Sequence, residues 1–248
     1  MVDPAAPIGD PLPQLVDAAM ASSDRFALWR SIADATGVRR MAEIGVQGGM
    51  FAASILEGCP SIEAYYLVDP WRHLDDWNKP ANVDDGAHEA QFRLACDRTR
   101  PFAHKCTFLR GTTTEVSDRL PDAGLDLVYV DGDHTLRGIV IDLVRTWPKV
   151  RLGGLVGGDD FVGSIFQHGA GFEPTMVFPL AVHFAEAVGA EIVALPFDQF
   201  LIHKAGTGRF RYRDLTGTHS DTSMASQLAN ARGTRAGPLG RLLGRFAR

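Results

Sequence analysis

Two acidic clusters in this sequence have the residue types for joint chemistry. Asp131-Gly132-Asp133-His134 ends the apolar run from Leu125 to Val130, and Gly157-Gly158-Asp159-Asp160 follows the shorter run Leu155-Val156. Apolar runs bounded by glycine and charge read as buried parallel strands. In an open α/β sheet, ligands bind outside the carboxyl ends of such strands. Carboxylates brought that close raise each other's pKa unless a cation neutralises them, and a hard divalent ion with oxygen ligands is the simplest resolution. Such an ion orients and acidifies a hydroxyl, and a neighbouring base then removes its proton. Each pair also has a plainer reading. Asp131 or Asp133 could cap a helix starting at Thr135, and Asp159-Asp160 could form a turn. Two pairs on neighbouring strand ends favour the metal, because mutual repulsion needs a counter-charge.

A second constellation lies earlier. Glu43-Ile44-Gly45-Val46-Gln47-Gly48-Gly49 leads from a strand to a helix, and its glycines let the backbone approach a ligand closely. The spacing is not the G-x-G-x-x-G of a dinucleotide site, since Gly45 and Gly49 stand four apart with Glu43 before them. Glu43 suits a cationic or hydroxyl-rich ligand better than a pyrophosphate. Asp69, twenty-four residues beyond Gly45 and ending the next apolar run, is spaced to meet ribose hydroxyls.

Strands at 40–46, 65–69, 107–110, 125–131, 154–159, 191–195 and 199–204 would place these residues. Helices are expected between them at 50–57, 86–98, 112–120, 135–147 and 176–188, with two more in 14–36 separated at Ser22-Ser23-Asp24. Alternation of this kind implies right-handed β-α units, and the closing strand pair is joined too tightly to be parallel. Three regions follow: an N-terminal arm and helices (1–37), the α/β domain (38–206) and an Arg-rich tail (207–248). The insert 70–100, with Trp71 and Trp77, is a candidate lid or a surface excursion in which the tryptophans pack on the body. The segment 206–237 reads as loosely ordered. Beyond it Leu239, Leu242, Leu243 and Phe246 share one helical face, which is either a docking helix or a frayed end.

The net charge of −5 conceals an asymmetry. Residues 207–248 hold eight Arg, no Lys and two Asp, which leaves 17 basic and 28 acidic groups in 1–206. An acidic body argues against nucleic-acid binding. Cys59, Cys96 and Cys106 show no C-x-x-C spacing and read as reduced thiols, and no apolar run reaches the ~20 residues of a membrane span. A cytoplasmic protein is expected.

The motifs E-I-G-x-x-x-G, V-D-P-W, V-D-G-D-H and G-G-D-D-F, in that order over roughly 38–204, resemble class I S-adenosylmethionine-dependent methyltransferases. More narrowly they are similar to the metal-dependent O-methyltransferases that modify macrolide and aminocoumarin sugars. The resemblance implies an α/β, Rossmann-like, seven-stranded and mostly parallel sheet with helices on both faces and an antiparallel last strand. It also implies that Glu43, Gly45, Val46 and Gly49 meet the methionine part of the cofactor, Asp69 the ribose, and Gly111 and Thr112 the adenine side. Asp131 would serve the cofactor and, with Asp159 and Asp160, hold Mg²⁺ or Mn²⁺. Asp133 would be the general base, with His134 the competing candidate because a carboxylate beside a cation is the weaker base. The sugar-modifying branch often follows D-G-D with a bulky apolar residue and Tyr, where this chain has His134-Thr135.

The expected activity is O-methylation of a hydroxyl on a sugar of an oligosaccharide, polysaccharide precursor, glycolipid or glycosylated metabolite, with methylated mannose or rhamnose among the candidates. A catechol-type methyltransferase is the alternative within the enzymes. A non-catalytic cofactor-binding protein that docks through its Arg-rich tail is the alternative outside them. Self-association through the N-terminal helices stays open.

Overall fold

The computed structural model of the chain describes residues 12–236. The N-terminal arm up to residue 11 and the amphipathic segment 238–248 lie outside the described residues. Two helices come first, α1 (Leu12–Ala21) and α2 (Arg25–Ala35), and Asp24 caps the second by accepting the Ala27 amide at 2.8 Å. There follow β1 (Arg40–Ile44), α3 (Met50–Gly58), β2 (Ala64–Asp69), α4 (Asp85–Thr99) and β3 (Cys106–Arg110). Next come α5 (Thr113–Val116), β4 (Leu125–Val130), α6 (Leu136–Thr146) and β5 (Val150–Gly158). The described residues end with α7 (Val177–Val188), β6 (Glu191–Leu195), β7 (Gln199–His203), β8 (Arg211–Asp214) and α8 (Met224–Ala236).

All the strands join one sheet in the order β3-β2-β1-β4-β5-β7-β6-β8. The pairs from β3 through β5 are parallel, and β7 runs antiparallel to both β5 and β6, as the tight closing pair requires. Successive side chains of a strand face opposite sides. In β4, Leu127 and Tyr129 enter one core with Trp29, Phe51 and Leu155, while Val128 and Val130 enter the other with Ile139, Phe161 and Val182. Helices α2 and α3 cover the first face, and α6 and α7 the second. Burial on both faces explains why these strands read as near-continuous apolar runs.

Two expectations need correction. The sheet has eight strands, not seven: β8 pairs parallel with β6 through Ile192 opposite Tyr212. It comes from the segment read as loosely ordered, and α8 follows it. An edge strand with one partner and two exposed arginines shows little of the apolar pattern that reveals the central strands.

Among the described residues no helix is long and apolar enough to cross a membrane. The three cysteines are free thiols.

Candidate active site

β1 and β4 are neighbours, and so are β4 and β5, with Val130 opposite Gly158. The residues that follow these strands therefore emerge side by side. The Asp131 amide donates to Ile44 O at 2.7 Å and the Asp159 amide to Val130 O at 3.1 Å, so the ladder carries on into the two acidic turns. A cavity of about 1230 Å³ opens above them, and every site residue expected from the sequence lines it except Gly49. Gly49 stands just behind, in the left-handed region at φ 71°, as the residue before α3.

Along the glycine turn the backbone does the shaping. Gly45 has φ 91°, and a Cβ there would lie 2.0 Å from Asp131 O, so only glycine lets the β1 turn pass the β4 turn. Asp69 Oδ2 accepts the amides of Val46 at 3.0 Å and Gln47 at 2.9 Å, and its Oδ1 accepts the Trp71 amide at 2.8 Å. Its carboxylate thus holds the glycine turn as well as facing the cavity. Burial raises the Asp69 pKa against the pull of those amides. Glu43 is buried, accepts the Tyr65 hydroxyl at 2.6 Å, and burial pushes its carboxyl well above the usual range. On the far wall Thr112 heads α5 in a reciprocal capping box with Glu115. The next residue, Thr113, donates its hydroxyl to Asp142 at 2.5 Å. Asp142 is buried on α6, its Oδ2 has no partner, and burial lifts its pKa to about 7.

The insert is fastened at both ends. Its helix α4 is tied to the glycine turn by Arg98 Nη1, which donates to Gly48 O at 2.7 Å. Trp71 is fully buried and donates to Gln47 O at 2.8 Å, which is the packing role. Trp77 reaches the site, where its Nε1 donates to Asp133 Oδ1 at 3.0 Å. Buried Lys79 donates to Thr175 Oγ1 at 3.1 Å, and the Asn78 amide donates to Glu173 at 3.0 Å. The loop after β2 and the loop before α7 thus meet above the acidic cluster. His88, on the first turn of α4, also lines the cavity, and its buried Nε2 has no partner.

The acidic cluster is held by side chains. Asp133 Oδ1 accepts the Thr135 amide at 2.9 Å as well as Trp77, so Asp133 serves the turn into α6, whose cap is Thr135. His134 is turned the other way. Its Nδ1 bonds Asp160 Oδ2, while Nε2 lies 3.4 Å from Asp131 Oδ1, an ion-pair distance without hydrogen-bond alignment. Burial opposes the charged imidazole, but the two carboxylates outweigh it and lift its pKa to about 9. Burial alone would raise Asp160; its bond to His134 brings it below its ordinary value. Asp160 Oδ1 also accepts Gln167 Nε2 at 2.6 Å.

Arg25, Gln199, Gln167 and Asp142 are absent from the sequence reading. Arg25 Nη1 pairs with Asp159 Oδ2 and lies 3.5 Å from Asp131 Oδ2. Gln199 Nε2 donates to Asp159 Oδ1. Arg25 had one signal, its position four residues before Trp29, on the buried face of the helix.

Three carboxylates are the right donors for a hard cation. Yet every oxygen of Asp131, Asp159 and Asp160 already faces a protein group, namely Arg25, His134, Gln167, Gln199 or the Asp160 amide. Among the described residues no three His, Cys, Asp or Glu are grouped as metal ligands. As arranged, the expected ligand set does not fit a divalent ion.

Residues 42–161, which carry the glycine turn and both acidic clusters, match the family model of a methyltransferase domain. No curated protein matches the sequence. Solved structures share the fold. The O-methyltransferase TomG from Streptomyces achromogenes, in complex with SAM, is similar at TM-score 0.53 and 17% identity, over 79% of this chain and 89% of that one. An O-methyltransferase from Bacillus cereus in complex with SAH gives TM-score 0.53 and 15% identity, over 79% and 91%. Cofactor-bound Rv0187 from MTB gives 0.52 and 18%, over 79% and 90%. The fold is the Rossmann-like fold that these methyltransferases share, and the segment 42–161 is similar to a methyltransferase domain.

Proposed function

We propose that the chain is an S-adenosylmethionine-dependent O-methyltransferase acting on a hydroxyl of a sugar carried by an oligosaccharide, glycolipid or glycosylated small molecule. The observation that carries this reading is that the Glu43–Gly49 turn and the Asp131–His134 turn open on the same cavity. The methyltransferase-domain match over 42–161 supports it. The methionine part of the cofactor would lie along Gly45 and Val46, the ribose toward Asp69 and His88, and the adenine toward Gly111 and Thr112. The sugar is favoured by the polar rim over the acidic cluster, where Trp77 offers a flat face and Lys79, Asp133 and His168 offer hydrogen bonds.

The chemistry asks little of the protein. A sulfonium methyl is already activated, so an oxygen must be aligned behind it and its proton removed. His134 is the proposed base and Asp133 the turn residue beside it. With Nδ1 bonded to Asp160, Nε2 is the proposed acceptor; it is buried 3.4 Å from Asp131 without a hydrogen bond, and a substrate hydroxyl would have to enter between them. S-adenosylmethionine, when bound, would supply the methyl group, which the substrate oxygen would take as the carbon–sulfur bond breaks. The proton passes to Nε2, and the products are the methyl ether and S-adenosylhomocysteine. A conjugate acid near 9 makes His134 a stronger base than an ordinary imidazole, in the smaller fraction of molecules that hold it neutral.

The test is transfer of labelled methyl from S-adenosylmethionine to a panel of vicinal-diol sugars beside a catechol. Incorporation into a sugar is expected. Labelling of the catechol alone rejects the sugar, and failure to bind S-adenosylhomocysteine by calorimetry rejects the whole reading.

A further inference from the structure

We propose that Arg25 is the resident counter-cation of the Asp131–Asp159 pair, held by α2 in the place a divalent ion would need, so that a metal enters only where Arg25 leaves. One nitrogen of its guanidinium serves carboxylates from two adjacent strand ends, the Asp159 ion pair and Asp131 at 3.5 Å. Helix propensity does not put it there. Arg25 is the first residue of α2, where the positive end of the helix dipole disfavours a cation. The carboxylates outweigh that cost.

The helix is fixed so that Arg25 must reach this point. Trp29, one turn further on, is fully buried, and a Cβ on Gly157 of β5 would come within 1.8 Å of its ring. The Trp29 indole N–H donates to Gln199 Oε1 at 2.7 Å, and Tyr129 donates to the same oxygen at 3.0 Å. Those two donors set the orientation of the amide, so Gln199 Nε2 faces Asp159 Oδ1. One face of α2 therefore contacts Asp159 twice, directly through Arg25 and through Trp29 and Gln199. A guanidinium keeps its charge at every accessible pH, and here it is only about one-third exposed, so the carboxylates are neutralised without an added ion. Removing it would leave Asp131 and Asp159 facing each other with no compensating charge on that side, which is what a divalent ion seeks.

Cation occupancy does not depend on the reaction assigned above, and Mn²⁺ binding reads it without turnover. The experiment titrates full-length wild type, Arg25→Gln and Arg25→Lys with Mn²⁺, following free ion by electron paramagnetic resonance. Arg25→Gln should bind one Mn²⁺ about tenfold or more tighter than the wild type, as expected when a charge beside the site is removed. Arg25→Lys should stay near the wild type. No gain in Arg25→Gln overturns the proposal, whatever the wild-type affinity. If Arg25→Gln lacks a cooperative melt, modification of Arg25 by phenylglyoxal in the wild type decides. Saturating Mn²⁺ should speed modification several-fold, and an unchanged rate with Mn²⁺ bound overturns it.

Discussion

The two ends of the cavity are made differently. At the end lined by the glycine turn, main-chain amides of Val46, Gln47 and Trp71 converge on Asp69, and the turn slides under Asp131 with no room for a side chain. At the end over the acidic cluster the parts are side chains brought from afar: Arg25 from α2, His134 from the turn after β4, Gln167 from a loop and Gln199 from β7. Backbone geometry holds a constant shape and tolerates little change at the few positions that allow it. Side-chain networks can be retuned one residue at a time. Under the methyl transfer proposed above, a constant donor would meet the first end and a variable acceptor the second.

The largest way to break the contrast is Gly45→Ala. Its Cβ would enter the Asp131 carbonyl in a left-handed backbone, so a loss of about 3 kcal/mol or more is expected, with cofactor binding lost as well. Thermal melts with and without S-adenosylhomocysteine measure both; a wild-type melt and affinity would show that the turn is not held as described.

His134→Gln sharpens the other side. It should lower kcat by about 10²–10⁴ while leaving cofactor affinity near wild type, by stopped assays and calorimetry. In the wild type, kcat/KM should climb with pH toward about 9, because base catalysis needs neutral His134. Asp160→Asn should move that limb to lower pH. The same raised pKa stabilises the fold fully below about 6.5 and is lost as pH rises through about 9.

The smallest effect belongs to Asp142→Asn. Burial lifts this acid to about 7, so between about pH 4 and pH 7 the folded state holds a proton the unfolded state has released, and stability falls as pH rises. The asparagine should remove that slope and stabilise the protein at pH 8, with little change at pH 4. Chemical denaturation at the two pH values checks it.

Much of this was legible in the sequence. Leu125 to Val130 announces a doubly buried strand, and an acid directly after such a run must lie at the sheet's carboxyl edge. The two acidic clusters therefore read as sharing one crevice, Glu43 and Asp69 read as a ligand turn of their own, and the resemblance to methyltransferases is what joins the two. Arg25 was not legible, because an ion pair spanning 106 residues has no periodicity. Nor was the duty of Asp69 toward the glycine turn, since carboxylate-to-amide bonds depend on a loop conformation that composition does not fix. The Asp131, Asp159 and Asp160 set reads in the sequence as a Mg²⁺ or Mn²⁺ site, because that much negative charge needs an answer. The answer found in the structure is partly guanidinium and imidazole. β8 escaped because Arg211-Tyr212-Arg213-Asp214 is largely polar, as a strand with one neighbour can be.

That last strand also bears on how the chain avoids sticking to itself. β6 is buried along its whole length, and without β8 its outer row of amides and carbonyls would be an open template for strands from other molecules. Instead the sheet ends in four residues with Arg211 and Arg213 outward, and Arg213 is anchored to Glu191 at 2.6 Å. A short edge strand carrying charged side chains disfavours pairing with an approaching copy. Some of the arginines that look like an appendage in the sequence thus guard the sheet against aggregation.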